Sequence, residues 1–342
     1  MLLSPVLRVA PALALVALIH PACAEGLPRR SPPRPAQPQG RQQAQDNKQS
    51  QEDKQSQSEI DTEDLFGFTE GSDVGDPGEL EASIDSTGRF GRRGGRYGVF
   101  SPTLELEYTP AERLSLSLDA TFDHYWIRNV PDLENRNTGG LSQFSTQMRY
   151  QFIQRDPSPV GVTLSLEPQF GFFDQDTGER ARRTALEAVL SLDMALVPER
   201  VFGAVNLTYE GERVRPKGFI GLDRDLDEVD PSDPAAVAIT RTPAERESTL
   251  GISAAAAFQA VPNLFVGAEA RYLRQYEGLD FKAFEGRALF IGPTLYMKVS
   301  DHLSLSAAWD VQVAGKANDG SGHLDLENFE RHQAKLKLIA QF

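Results

Sequence analysis

His302 and Ser304 stand two residues apart. A histidine within reach of a serine hydroxyl can take its proton and turn the oxygen into a nucleophile. His302 opens an alternating segment, and Ser304 falls on the polar side of it. His124 has no serine at that spacing; its neighbours are Asp123 and Tyr125. No nucleophile elbow, zinc motif or phosphate loop occurs elsewhere. A second candidate is the oxygen-rich run from Gly221 to Asp233, which holds Asp223, Asp225, Asp227, Glu228 and Asp230. Such runs can take calcium, but this one lacks the spacing and central glycine of an EF-hand and reads as a solvated loop. The expectation is a protein that is not an enzyme and needs no metal or cofactor.

The third candidate set is a scatter of charges at alternate positions. Glu105, Glu107, Asp119, Asp123, Glu187, Asp193, Glu269 and Asp310 are acids in segments whose intervening residues are apolar; Arg149, Arg271, Lys335 and Lys337 are the matching bases. Alternation puts all of one kind on one face of a strand. What that face meets depends on the elements that carry it.

The chain has 342 residues, a formal net charge of -14 and one cysteine. The acidity argues against nucleic acid, which needs clustered Lys and Arg. Residues 1–24 combine Arg8, an apolar run and Ala22-Cys23-Ala24, which reads as a secretory signal peptide. Cleavage there would leave no cysteine. Residues 25–60 are rich in Pro, then in Gln, Ser, Asp and Lys, and cannot bury enough apolar surface to order themselves; they read as a disordered linker. Residues 61–78 carry Leu65, Phe66 and Phe68 among acids and glycines. Rings that apolar should dock, either as a plug in a periplasmic mouth or lumen or as a strap leading to the first strand.

From residue 79 to 342 one pattern repeats. Twelve alternating segments are predicted at 79–90, 95–109, 112–126, 139–153, 159–173, 183–197, 200–212, 246–259, 262–274, 287–299, 302–314 and 331–342. In 112–126, Leu114, Leu116, Leu118, Ala120 and Phe122 alternate with Ser115, Ser117, Asp119, Thr121 and Asp123. Tight Pro-, Asp- and Asn-bearing links (TPAE, RDPSP, VPER, AVPN, VSDH) alternate with longer connections. Short and long links in strict alternation are the layout of an outer-membrane barrel. The predicted fold is all-β: a transmembrane antiparallel up-and-down β-barrel of about twelve strands, ten to fourteen being compatible. Pro102, Pro168 and Pro293 fall inside strands, where each removes a ladder hydrogen bond.

The last eleven residues, HQAKLKLIAQF, resemble the C-terminal strand of Gram-negative outer-membrane proteins, with Ala334, Leu336, Leu338, Ala340 and Phe342 on the matching positions. That resemblance implies residence in the outer membrane, contact with its lipid and lipopolysaccharide, and recognition by the barrel-assembly machinery through Leu336, Leu338, Ala340 and Phe342. The block Leu65-Phe66-Gly67-Phe68-Thr69-Glu70-Gly71 resembles one found ahead of proteobacterial barrels. More distantly, the whole is similar to transporter-like, porin-like barrels linked to aromatic-compound uptake.

With apolar residues toward lipid, the twelve charged residues named above line the lumen. Either they make a water-filled passage selective for cations and polar solutes, or they pair and brace a barrel without a pore. Twelve strands lie between the side-chain-filled and the open types, which favours a narrow, partly obstructed passage, with Phe66 and Phe68 as plug. Arg89, Arg92, Arg93 and Arg96 read as a basic patch at the outer rim suited to anionic lipopolysaccharide. Aromatics such as Tyr97, Phe100, Tyr108, Tyr125, Trp126, Tyr296 and Trp309 read as interfacial girdles. The expected function is a channel or transporter for small polar or cationic solutes. The alternatives are a surface-interaction barrel acting through loop 213–245 and, third, a lipolytic enzyme.

Overall fold

The structure is a computed structural model. It describes residues 61–342 except 156, 217–243, 319 and 321. The leader, the linker and the acidic run Gly221 to Asp233 therefore lie outside the described residues.

Twelve strands follow one another: β1 Leu80–Phe90, β2 Arg96–Ala111, β3 Leu114–Arg128, β4 Arg136–Ile153, β5 Val160–Phe173, β6 Arg180–Val197, β7 Val201–Pro216, β8 Glu245–Val261, β9 Leu264–Glu277, β10 Ala283–Ser300, β11 Leu303–Ala317 and β12 His332–Gln341. Each is antiparallel to its chain neighbours, and β1 pairs with β12 to close the barrel. Closure extends one residue beyond β12. The Phe342 N–H donates to the Leu80 carbonyl at 2.8 Å, and the Leu80 N–H to the Phe342 carbonyl at 3.3 Å. No strand edge is left open, which is the condition for a sheet to survive in hydrocarbon.

The two faces differ as the alternation requires. In β3, Leu118 is 62% exposed while Ser117 beside it is 4% exposed. Ile84, Leu104, Leu207, Ile252, Ile291, Trp309 and Leu336 are likewise outward and exposed. An apolar belt running round the whole barrel is untenable in water and natural in lipid. The fold is that of an outer-membrane β-barrel. Leu338 and Phe342 are also outward, whereas Ile339, the apolar residue out of phase with them, is buried on the inner face.

The strands run up to two residues past the expected limits at the tight-turn end and up to four at the other. Short links such as 198–200 and 262–263 gather at the end that carries both barrel termini, with Glu199 and Asn263 in the left-handed region. By outer-membrane topology this is the periplasmic end.

The three strand prolines sit where one ladder lapses without a change of register. Between β2 and β3 pairing runs from Phe100↔His124 to Thr103↔Thr121, with the pairs at Pro102 missing. Pro168 interrupts β4–β5 and Pro293 interrupts β10–β11 in the same way. On its other side each proline keeps a partner: Ser86, Leu186 and Ala268 respectively. The missing N–H is thus confined to one neighbour.

The girdle reading needs correction at three residues. Tyr97 and Tyr125 are buried on the inner face, where they cluster with Val99, Ile127 and Val130. Tyr296 also turns inward, its hydroxyl donating to Ser304 Oγ at 3.0 Å. Each shares the parity of its strand's lumen residues, so the hydroxyl finds a partner inside rather than at a lipid interface.

Candidate functional site in the barrel lumen

Acids meet in register across neighbouring strands of the inner wall. Register places Glu105 opposite Asp119, then Glu167 opposite Glu187 and Glu187 opposite Glu210, so that acids line β2, β3, β5, β6 and β7. Asp119, Glu167 and Glu187 are bonded to Ser117 and Gln169 rather than to any cation among the described residues. Other charges are paired, Arg183 of β6 with Glu210 and Glu212 among them. Arg271 binds Asp310 at 2.7 Å, Lys335 binds Asp85 at 3.1 Å, and Lys337 reaches Glu105 at 3.2 Å. Glu107, Asp123, Arg149, Asp193 and Glu269 also face inward and are buried.

Residues 61–79 enter this lumen from the periplasmic end, turn at Gly67, and return to β1. The turn is marked by an isolated bridge between Phe66 and Thr69. At its tip Gly67 has φ +85, and a Cβ there would stand 2.7 Å from both the Ala308 Cβ and Glu269 Oε1. Only glycine fits both the backbone and the space. Leu65 and Phe66 fill an apolar pocket of the wall made by Phe202, Ala204, Ala255, Ala257 and Phe265. The Phe68 ring lies under the Arg271 guanidinium, 3.9 Å from its centroid, with the Lys335 ammonium at 5.9 Å, a cation–π contact.

Polar contacts hold the rest, through plug backbone and plug side chains alike. Glu269 accepts the N–H groups of Phe68 and Thr69 at 3.1 and 2.8 Å, and the Thr69 hydroxyl at 2.9 Å. Asn206 accepts the Glu70 N–H at 2.7 Å and donates to its carbonyl at 2.8 Å. Arg149, 1% exposed, donates to Glu70 at 2.8 Å and to the carbonyls of Gly71 and Asp73 at 3.1 Å, with Glu63 at 3.4 Å. Asp193 accepts the Ser72 hydroxyl at 2.7 Å, a bond to Thr62, and Arg155 at 2.8 Å. Lys337 binds Asp64 at 3.0 Å. Burial acts to raise the Asp64 carboxyl, but Lys337 and Lys335 outweigh it and hold Asp64 below the usual carboxylate range. A plug anchored by buried charge pairs and backbone bonds docks in one register, since a slip would strand several of them unpaired.

Two loops partly cover the opposite mouth. Residues 322–331 fold inward: Phe329 stacks edge-on against Phe290 at 6.4 Å, and Gln312 bonds to the Asp325 N–H and carbonyl at 2.7 and 2.9 Å. Arg92 ties this loop to residues 174–179, meeting Asp176 at 2.7 Å and Glu330 at 3.3 Å. Burial would raise Asp176, yet Arg92 and Arg89 prevail and hold it below its ordinary range. The expected free basic patch is therefore corrected. Arg89, Arg92 and Arg93 are engaged with Glu330, Asp176, Asp132 and Glu327; Arg96 alone of the four keeps an outward, exposed position without a salt bridge among the described residues. Beneath the cover a cavity of about 180 Å³ is lined by Arg89, Asp123, Gln143, Phe173 and Arg183 among others.

A family model described as a family of unknown function, DUF6662, matches residues 58–342. The chain belongs to DUF6662. The match takes in the plug as well as all twelve strands. No curated protein matches the chain. Among solved structures, the COG4313 outer membrane channel from Pseudomonas putida F1 is similar at 11% identity and TM-score 0.50, over 83% of this chain and 100% of that one. The β domain of the Bordetella autotransporter BrkA gives 12% identity and TM-score 0.47, covering 78% and 100%. The translocator domain of the autotransporter NalP from Neisseria meningitidis gives 12% and 0.43, covering 89% and 98%. At these identities the likeness is one of fold.

In this DUF6662 barrel His302 lies exposed in a tight turn, while Ser304 is buried in the lumen against Tyr296. The apolar pocket for Leu65 and Phe66 was not anticipated. Its signal was present: Phe202 and Phe265 break the polar parity of their strands near the same barrel end.

Proposed function

We propose that this protein is an outer-membrane channel for small polar and cationic solutes, closed at rest by its own residues 61–78. The observation that carries this reading is the seating of that segment. Apart from the Leu65–Phe66 pocket, it is held by hydrogen bonds and ion pairs that water and solute can replace, on a wall that closes without it. Twelve antiparallel strands pair completely around the barrel, so release of the plug leaves the barrel shut against lipid. The acids Asp119, Glu167 and Glu187, without cation partners among the described residues, would then face the passage and favour cations.

The test is a planar-bilayer recording of the full mature chain beside one lacking residues 61–78. The full chain should open rarely. The shortened chain should conduct steadily, with a reversal potential in a salt gradient that indicates cation preference. Background conductance from both, in protein that keeps heat-modifiable gel mobility, would overturn the proposal.

A further inference from the structure

We infer that the outward rim formed by Arg274, Arg287 and Lys316 binds the phosphate groups of a phosphorylated lipid in the external leaflet. Register sets these three side by side: Arg274 is opposite Arg287 across β9–β10, and Arg287 is opposite Lys316 across β10–β11. Residues directly opposite on one face have Cβ atoms about 4.5–5.5 Å apart, and like charges so placed repel. All three are exposed, and none has a carboxylate partner among the described residues. Their inner neighbours Leu273, Ala288 and Gly315 turn to the lumen side, so the cations face out. A row of like charges on adjacent strands costs stability unless an anion bridges it.

The surroundings select the anion. The Arg274 guanidinium lies over the paired rings of Tyr276 and Phe284, 5.4 and 5.0 Å from their centroids, a cation–π contact that holds it at the rim. A planar guanidinium beside a second one suits the paired oxygens of a phosphate. One step toward the membrane the same face carries Tyr272, Leu289 and Ala314 in register, and then Ala270, Ile291 and Val311. A head group caught by the cations would lay its acyl chains along this apolar belt, as a soluble anion or an acidic protein would not. The rim repeats the arrangement elsewhere, with Arg182 opposite Arg215 and Arg213 opposite Arg246.

The full mature chain, refolded in an uncharged detergent, is titrated with bisphosphorylated lipid A, and the temperature at which the folded gel band converts to the unfolded one is read. The midpoint should rise and saturate. Dephosphorylated lipid A and inorganic phosphate should leave it unmoved. R274Q/R287Q/K316Q should raise the half-saturating lipid concentration at least tenfold. Without lipid this variant should melt no lower than the parent, because the repulsion is gone. An equal shift from dephosphorylated lipid, or parental lipid affinity in the triple variant, would overturn the assignment. So would a lower lipid-free melting temperature, which would make the three side chains braces of the fold. Should the triple variant fail to assemble, Arg287→Gln alone removes the central cation and should weaken binding at least threefold; unchanged binding would again sink the site.

Discussion

Gly67→Val is expected to convert a barrel that is mostly closed into one that conducts. The substitution touches no strand. It places a β-branched side chain at φ +85, where the added Cβ stands 2.7 Å from the Ala308 Cβ and from Glu269 Oε1 and 3.0 Å from the Thr294 Cγ2. A non-glycine residue in such a conformation costs about 1–3 kcal/mol, and overpacking a tight site costs about 1–3 kcal/mol more. The lower sum, about 2 kcal/mol, already shifts the docked-to-released ratio roughly thirtyfold. The strain falls on the turn that delivers Phe68 to Arg271 and the Thr69 N–H to Glu269, so the whole tip leaves together. Single-channel recording should find the open probability raised by at least that factor until it saturates, in protein that remains heat-modifiable. An unchanged open probability would mean that the tip does not control the passage.

The second large effect is expected from Arg149→Ala. Arg149 belongs to β4, but its bonds go to the plug: Glu63, Glu70 and the carbonyls of Gly71 and Asp73. Removing one partner of a buried ion pair costs about 3–5 kcal/mol, because the other charge is left without compensation. Here the Glu70 carboxylate and two carbonyls lose their donor at once, and Glu63 loses its neighbouring cation. The docked-to-released ratio should fall by roughly two to three and a half orders of magnitude. Limited proteolysis reads this directly: cleavage within residues 61–78 should become fast while the strands stay protected. Gly67→Val combined with Arg149→Ala should add little to the conductance of either alone, since both release one segment and neighbours in one network are not additive. Protection of the segment at the parental level in Arg149→Ala would contradict the account.

The barrel was legible because lipid and lumen impose opposite demands on alternate residues. Leu114 to Phe122 against Ser115 to Asp123 could fold as nothing but a two-faced strand, and the alternation of tight and long links ordered the strands into an up-and-down closure. Strand ends were harder, since the alternation fades beyond the lipid belt: β10 begins at Ala283 and β4 at Arg136, ahead of the residues where a regular pattern starts. The same fading misled the reading of Tyr97 and Tyr125. Near the external mouth loop residues pack against the inner wall, Tyr97 donating to the Asp176 carbonyl at 3.1 Å and Tyr125 meeting Phe173 at 6.2 Å, so an aromatic side chain belongs inside as readily as at the lipid interface. Arg89 and Arg92 misled for a related reason. In sequence they neighbour glycines, Phe90 and other bases but no acid, and the acids that draw them inward, Asp176 and Glu330, lie 84 and 241 positions away in the contacts they make.

The candidate site was legible only by half. Three apolar side chains in an acidic, glycine-rich stretch must dock, and that much could be read from Leu65, Phe66 and Phe68. Where they dock depends on wall residues scattered over β4, β6, β7 and β9, whose convergence is a property of closure. Gly67, Gly71 and Gly161 are instructive here. In sequence they look like flexible punctuation. In the lumen each is a place where a Cβ would collide, at Gly67 with Ala308, at Gly71 with the Thr62 carbonyl and at Gly161 with Ser72.

That last contact offers the most direct test of the plug as gate. A Cβ added at Gly161 would lie 3.0 Å from the Ser72 Cβ, slightly inside the distance a disulfide spans and close enough to bridge with a small relaxation. In a chain without Cys23, the pair Ser72→Cys and Gly161→Cys should cross-link under oxidation and pin the plug to β5. Single-channel recording of one preparation before and after reduction then isolates plug movement from every other variable. The account predicts silence at all voltages while the bridge is intact, and openings like those of the unsubstituted chain once it is reduced. Openings of equal size and frequency in fully cross-linked and reduced protein would contradict it.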